Sequence, residues 1–172
     1  MQYGALVISL DFELLWGVRD KRTIADYGPN ILGVRKAVPA LLDLFAQREI
    51  ACTWATVGLL FFATNKALRA GLPARKPRYR PVGKGAALER LRLRRINSAM
   101  EMAARHRKLF HLWWHPHNFG VDLEENLAFL RGILDRFRML QERYGMRSMT
   151  MGQVADEVLH GYREGRAADV RG

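Results

Sequence analysis

The stretch Ala5-Leu6-Val7-Ile8-Ser9-Leu10-Asp11-Phe12-Glu13 decides how this chain is read. Its apolar run is short and nearly continuous, which is the pattern of a strand in a parallel sheet covered on both faces. Asp11 and Glu13 sit two apart at its carboxyl end, so strand alternation predicts that both carboxylates point the same way. A second run, Leu109-Phe110-His111-Leu112, leads into Trp113-Trp114-His115-Pro116-His117-Asn118. In α/β sheets and barrels, chemistry sits at the carboxyl ends of such strands. Two carboxylates and two histidines delivered there are the raw material of a metal-assisted hydrolase.

The 172 residues make one ordinary domain by length, and 49% of them are hydrophobic. No basic leader precedes the first apolar run, and no apolar stretch approaches the roughly 18 residues of a membrane span. Cys52 is the single cysteine, so no intrachain disulfide forms and nothing demands an oxidising compartment. The expectation is a cytoplasmic protein with no membrane partner. Its net charge of +11 is uneven, because residues 66–95 hold eleven basic side chains against one acid, Glu89. Such a segment either binds a polyanion or forms a solvated connector and helix face.

Along the chain, a loop through Trp16 to about Asn30 precedes a helix pattern over 31–48, within which Pro39 should kink the helix or mark its first turn. Residues 51–57 read as the second strand and 59–68 as a short apolar helix. Three prolines and a basic, apolar-poor composition make 71–85 a linker. A helix over 86–106 leads into the third strand, 109–114. Asp122 with Glu125 has the spacing of a capping box that opens a helix ending at Gly145, and Thr150 with Gln153 suggests another ending near His160. The organisation is thus an N-terminal βαβα part (1–70), a basic linker (71–87), a C-terminal αβαα part (88–160) and a charged, fraying tail (161–172), all in one structural domain.

These residues resemble the polysaccharide deacetylase family, whose members remove acyl groups from sugar amines and related amides. Ser9-Leu10-Asp11-Phe12-Glu13 takes the place of that family's T-F-D-D motif. Ala51-Cys52-Thr53-Trp54-Ala55-Thr56-Val57-Gly58 is similar to its A-T-F-F-x-x-G strand, and Leu112-Trp113-Trp114-His115-Pro116 to its final leucine-histidine motif. The resemblance covers about residues 1–68 and 88–158. It implies an α/β fold that is the remnant of a (β/α) barrel, with parallel strands and helices on the faces. First and last barrel strands are neighbours, so the remaining sheet should run 2-1-3, with two open edges that invite self-association.

The resemblance also implies roles. Asp11 would be the general base and His115 the general acid, a task suited to an imidazole. Glu13 and His117 would hold a divalent metal, with zinc the expected ion. Trp16, Trp54, Trp114 and Asn118 would contact an acylated sugar or small amide substrate. His111, inside its strand, reads as a core or opposite-face histidine, and Trp113, which could line a sugar-binding cleft with Trp114, as the packing usual for a strand tryptophan. The family's H-x-x-x-H pair has no counterpart between Gly58 and Leu109. That absence predicts impaired amide hydrolysis and leaves a second reading open, a noncatalytic remnant that binds a ligand, an acidic polymer or its own copies. A nucleic-acid-binding protein acting through 66–95 is a third reading. It lacks a recognised motif, and its aromatics are not interleaved with the charges.

Overall fold

The structure is a computed structural model that describes residues 2–18, 20–56 and 86–169, without the side chains of 17, 86–88 and 161–169. The expected helix over 59–68 and the linker over 71–85 lie outside the described residues. In chain order the elements are β1 (Ala5–Phe12), a 3-10 turn (Leu14–Val18), α1 (Ile24–Gln47), β2 (Cys52–Thr56) and α2 (Ala86–Arg105). There follow β3 (Leu109–Trp114), a second 3-10 turn (Pro116–Phe119), α3 (Leu123–Tyr144), β4 (Arg147–Met149) and α4 (Met151–Asp169). Among the described residues, no helix is long and apolar enough to cross a membrane.

The chain is α/β, with a parallel sheet in the expected order β2-β1-β3. Register pairs Leu10 with Trp54 on one side and Trp114 on the other, and Ser9 with Thr53 and Trp113. Residues opposite one another share a face, so the sheet has an even face carrying Leu6, Ile8 and Leu10 and an odd face carrying Val7, Ser9 and Asp11. The helices do not cover these faces equally. Leu41 and Phe45 of α1, Met100 of α2 and Leu130, Leu134 and Phe137 of α3 join Leu6, Ile8 and Leu10 in the main core. On the odd face, among the described residues, Ala5 and Val7 form a small second cluster with Met149, Tyr3 and Val154 of α4.

Several boundaries differ from the sequence reading for physical reasons. Helix α1 starts seven residues early because Thr23 and Asp26 form a reciprocal capping box. Pro29 and Pro39 then both lie inside the helix. Each removes one bond to the carbonyl four residues back, on Ala25 and Arg35, and both of those residues are exposed to water that can replace it. At α3 the expected capping box is not made: Asp122 is left-handed (φ 49°) and its side chain makes no cap bond. Instead the Asn126 amide donates to the carbonyls of Val121 and Asp122 at 3.0 and 2.9 Å. Thr150 and Gln153 do bond reciprocally, at 2.8 and 3.1 Å. The helix they open runs on to Asp169 rather than ending near His160.

The short strand β4 was not expected. It pairs in parallel with Ala5–Val7 of β1, whereas β2 pairs with Ile8–Phe12, so the two share one edge of β1 end to end. Ser148 Oγ joins them, accepting from the Ala51 N–H at 2.9 Å and donating to the Ala51 carbonyl.

Candidate active site at the sheet rim

Strands β1 and β3 are adjacent and parallel, and β3 stops at Trp114 while β1 runs two residues further in register. His115 therefore emerges beside Asp11. The strand hydrogen-bonding pattern breaks immediately after Phe12. The Glu13 N–H turns back to the Asp11 carbonyl at 3.2 Å, and Leu14 takes a left-handed φ of 52°. This tight turn, rather than simple strand alternation, brings Glu13 to the same rim. The His115 Nδ1–H donates to the same Asp11 carbonyl at 3.2 Å, which leaves Nε2 as the basic nitrogen of the ring. Glu13 Oε2 lies 3.7 Å from Nδ1. One potential ligand atom from each of Asp11, Glu13 and His115 falls within 4.8 Å of the others.

His117 takes a different position. The turn after Pro116 stacks its ring on His115, with centroids 4.8 Å apart and planes 11° apart, and sets the Tyr27 ring against it at 5.6 Å. It is only 2% exposed, and it is not one of the three groups that converge. Its Nδ1 is buried with no hydrogen-bond partner among the described residues. Burial, and secondly the neighbouring His115 ring, hold its pKa down to about 4, so at neutral pH the ring is uncharged.

The histidine turn is clamped onto α1 at backbone level. A Cβ on Gly33 would lie 1.8 Å from the Gly120 carbonyl oxygen, and one on Gly120 would lie 1.9 Å from that of Asn30. Only glycine at both positions permits this crossing. The Asn30 amide donates to the His117 carbonyl at 3.4 Å, and the Asn126 amide reaches the Asn118 carbonyl at 3.3 Å. Asn30, Gly33, Gly120 and Asn126 were not singled out from the sequence, because nothing in their spacing tells that α1 and the turn touch.

The remaining candidates divide by face. Trp54 and Trp114 both pair with Leu10 and pack against the main core; Phe12 meets Trp54 edge-on at 6.4 Å and Phe119 stacks on Trp114 at 5.7 Å. They lie on the face opposite Asp11. Trp113, read as packing, is 40% exposed on Asp11's own face and meets His115 edge-on at 5.0 Å. Trp16 sits in the 3-10 turn beside the rim, its N–H bonded to the Glu13 carbonyl. Asn118 is exposed, and its N–H closes the turn on the His115 carbonyl. His111 is neither a core nor an opposite-face residue: it is exposed on the odd face, with Nε2 2.7 Å from Ser9 Oγ. Cys52 packs partly buried against the main core, and burial pushes its thiol pKa up.

Chemically, the rim offers two carboxylates and an imidazole in one patch, which suits cation binding or water activation. No protein-family model, curated protein or solved structure matches this chain.

Proposed function

We infer that this protein is a polysaccharide deacetylase-like hydrolase that cleaves carbon–nitrogen amide bonds of acylated sugars or related amides, at a reduced rate. In this reading β1, β2 and β3 are the first, second and last strands of a (β/α) barrel whose middle is missing. The observation that carries it is the convergence of Asp11, Glu13 and His115 at the ends of adjacent parallel strands. The sheet order β2-β1-β3 supports it as well.

In the reaction, Asp11 takes a proton from the attacking water, and His115 gives one to the departing amine nitrogen as the amide bond breaks. The Asp11 carbonyl, by accepting the His115 Nδ1–H, fixes the tautomer and orientation of the ring. Trp113, on the same face, and Trp16, beside the rim, are the aromatic surfaces available to a sugar ring. Carboxylate oxygens and an imidazole nitrogen are ordinary ligands of zinc, so the donor set fits a divalent ion. When bound, such an ion would polarise the acyl carbonyl and lower the pKa of water. Glu13 is the residue to hold it. Asp11 and His115 would have to divide their time between holding the ion and moving protons, and His117 stands behind His115. Weak metal binding and slow turnover follow.

Zinc titration by calorimetry, with acetate release from acetylated chitooligosaccharides, tests the reading. Zinc should bind weakly, and Glu13→Gln should weaken it further. Acetate release should depend on zinc and fall about 10²-fold or more in Asp11→Asn. A chain that neither binds zinc nor releases acetate would be a noncatalytic remnant, and the hydrolase reading would be wrong.

A further inference from the structure

Among the described residues, an open edge of the sheet lies along β3. On its inner side β3 pairs with β1 through Ala5–Leu10, and among the described residues no strand pairs with its outer side. About half of the backbone N–H and C=O groups of a six-residue strand therefore face outward, a template for another strand. Helix α2, which precedes β3 through a tight turn, lies alongside this edge. Between them runs an open groove of about 490 Å³. Its lining combines the apolar Ile96, Ala99, Phe110 and Leu112 with the cationic Arg92 and Arg95, and with His111 and Trp113 of β3.

The charges of that lining are available. Arg95 is exposed and makes no ion pair among the described residues, while Arg92 pairs with Glu89 only at 3.5 Å across the solvent-exposed surface. The Arg92 guanidinium also rests on the Phe129 ring, 5.2 Å from its centroid, which holds it in place beside the groove. Neighbouring Arg90 and Arg94 add to the positive field.

We propose that the outer edge of β3 is a docking site for an acidic, extended peptide segment of another protein, which adds to the sheet as a further strand. Backbone bonds to β3 supply the affinity, as in other strand-addition complexes. Alternate apolar side chains of the peptide settle against Ile96, Ala99 and Leu112, and its carboxylates meet Arg92 and Arg95. Charge also decides against a second copy of this chain. Two β3 edges brought together would oppose arginine to arginine, in a protein already carrying +11. The inference does not rest on hydrolase activity: Trp113, which also lines the groove, touches His115, but Arg92, Arg95, Ile96, Ala99 and Leu112 do not belong to the Asp11–Glu13–His115 rim.

The test uses the full chain and a labelled ten-residue peptide of alternating glutamate and valine, followed by fluorescence anisotropy. A lysine–valine peptide and a ten-nucleotide single-stranded thymidine oligomer are the comparison probes. The acidic peptide should bind and the lysine peptide should not. The double variant Arg92→Glu with Arg95→Glu, both at exposed positions, should weaken binding at least tenfold with an unchanged circular dichroism spectrum. Hydrogen exchange should show peptide-dependent protection of amides within Phe110–Trp114, which a merely electrostatic surface would not give. Absence of binding would overturn the proposal, as would binding without protection at β3. Tighter binding of the oligonucleotide than of the peptide would identify a nucleic-acid surface instead. Concentration-dependent dimers that protect β3 without peptide would assign the edge to a second copy.

Discussion

The two faces of β1 are built from alternate residues of one eight-residue strand, and they have opposite fates. The even face, Leu6, Ile8 and Leu10, is sealed beneath α1, α2 and α3. The odd face has a small apolar cluster at its amino end and then turns polar, through Ser9 and His111, to Asp11 and the rim. Packing on one side thus holds a strand whose other side, buried as far as Ser9, ends in the polar rim. The difference teaches that the rim owes its geometry to contacts made on the opposite face, because moving β1 relative to β3 by one residue would exchange the two faces entirely.

The sharpest way to break this comparison is to remove mass from the even face. Leu10 is fully buried, and Leu10→Ala removes several methyl-group contacts and leaves a cavity between Trp54 and Trp114, its register partners. The expected cost is about 2–5 kcal/mol in urea denaturation. A loss below about 1 kcal/mol would mean that this face is not the one that holds the sheet.

A smaller effect belongs to His117, which lies at the junction of the two regions. Its folded pKa of about 4 is below the ordinary histidine value of 6.5, so between those limits the unfolded chain binds a proton that the folded chain does not. The stability associated with this histidine is therefore fully present above pH 6.5 and declines as pH falls toward 4. His117→Phe keeps an aromatic ring against His115 and Tyr27 but cannot titrate. The wild-type protein should lose stability over that window more steeply than the variant when melting temperatures are compared pH by pH. Parallel pH profiles would show that the ring is not held neutral by its burial.

Much of the scaffold was legible in the sequence because it rests on local patterns. The apolar runs gave β1 and β3, the latter with the observed bounds, and the apolar stripe through Leu127, Leu130, Ile133, Leu134, Phe137 and Leu140 gave α3. Asp11, Glu13 and His115 were legible for the same reason: each closes or follows a strand. What could not be read depends on register and on contacts between distant segments. The sequence puts tryptophans at 54, 113 and 114, but only the pairing of Leu10 with Trp54 and Trp114 decides that these two face the core and Trp113 does not. Strand β4 has three residues and one buried apolar side chain, too little for a periodic signal. Asp122 and Glu125 had the right spacing for a cap, yet the backbone at Asp122 is left-handed and its side chain makes no cap bond; the Asn126 amide instead holds the turn by donating to the carbonyls of Val121 and Asp122.

The smallest expected effect tests whether the polar half of the odd face contributes to folding at all. Ser9 is 3% exposed, and its hydroxyl meets His111 Nε2 at 2.7 Å; His111 itself is exposed. In Ser9→Ala the β-carbon remains in its packed site, and only the hydroxyl and its hydrogen bond are lost. His111 can recover that bond from water, so the large penalty for an unsatisfied buried partner does not arise. The loss should be no more than about 1 kcal/mol. Zinc affinity should be unchanged, because Ser9 is not among the converging groups. A loss of several kcal/mol would show that the odd face is sealed in solution after all. Unchanged stability with altered zinc binding would show that the Ser9–His111 pair and the rim form one connected site.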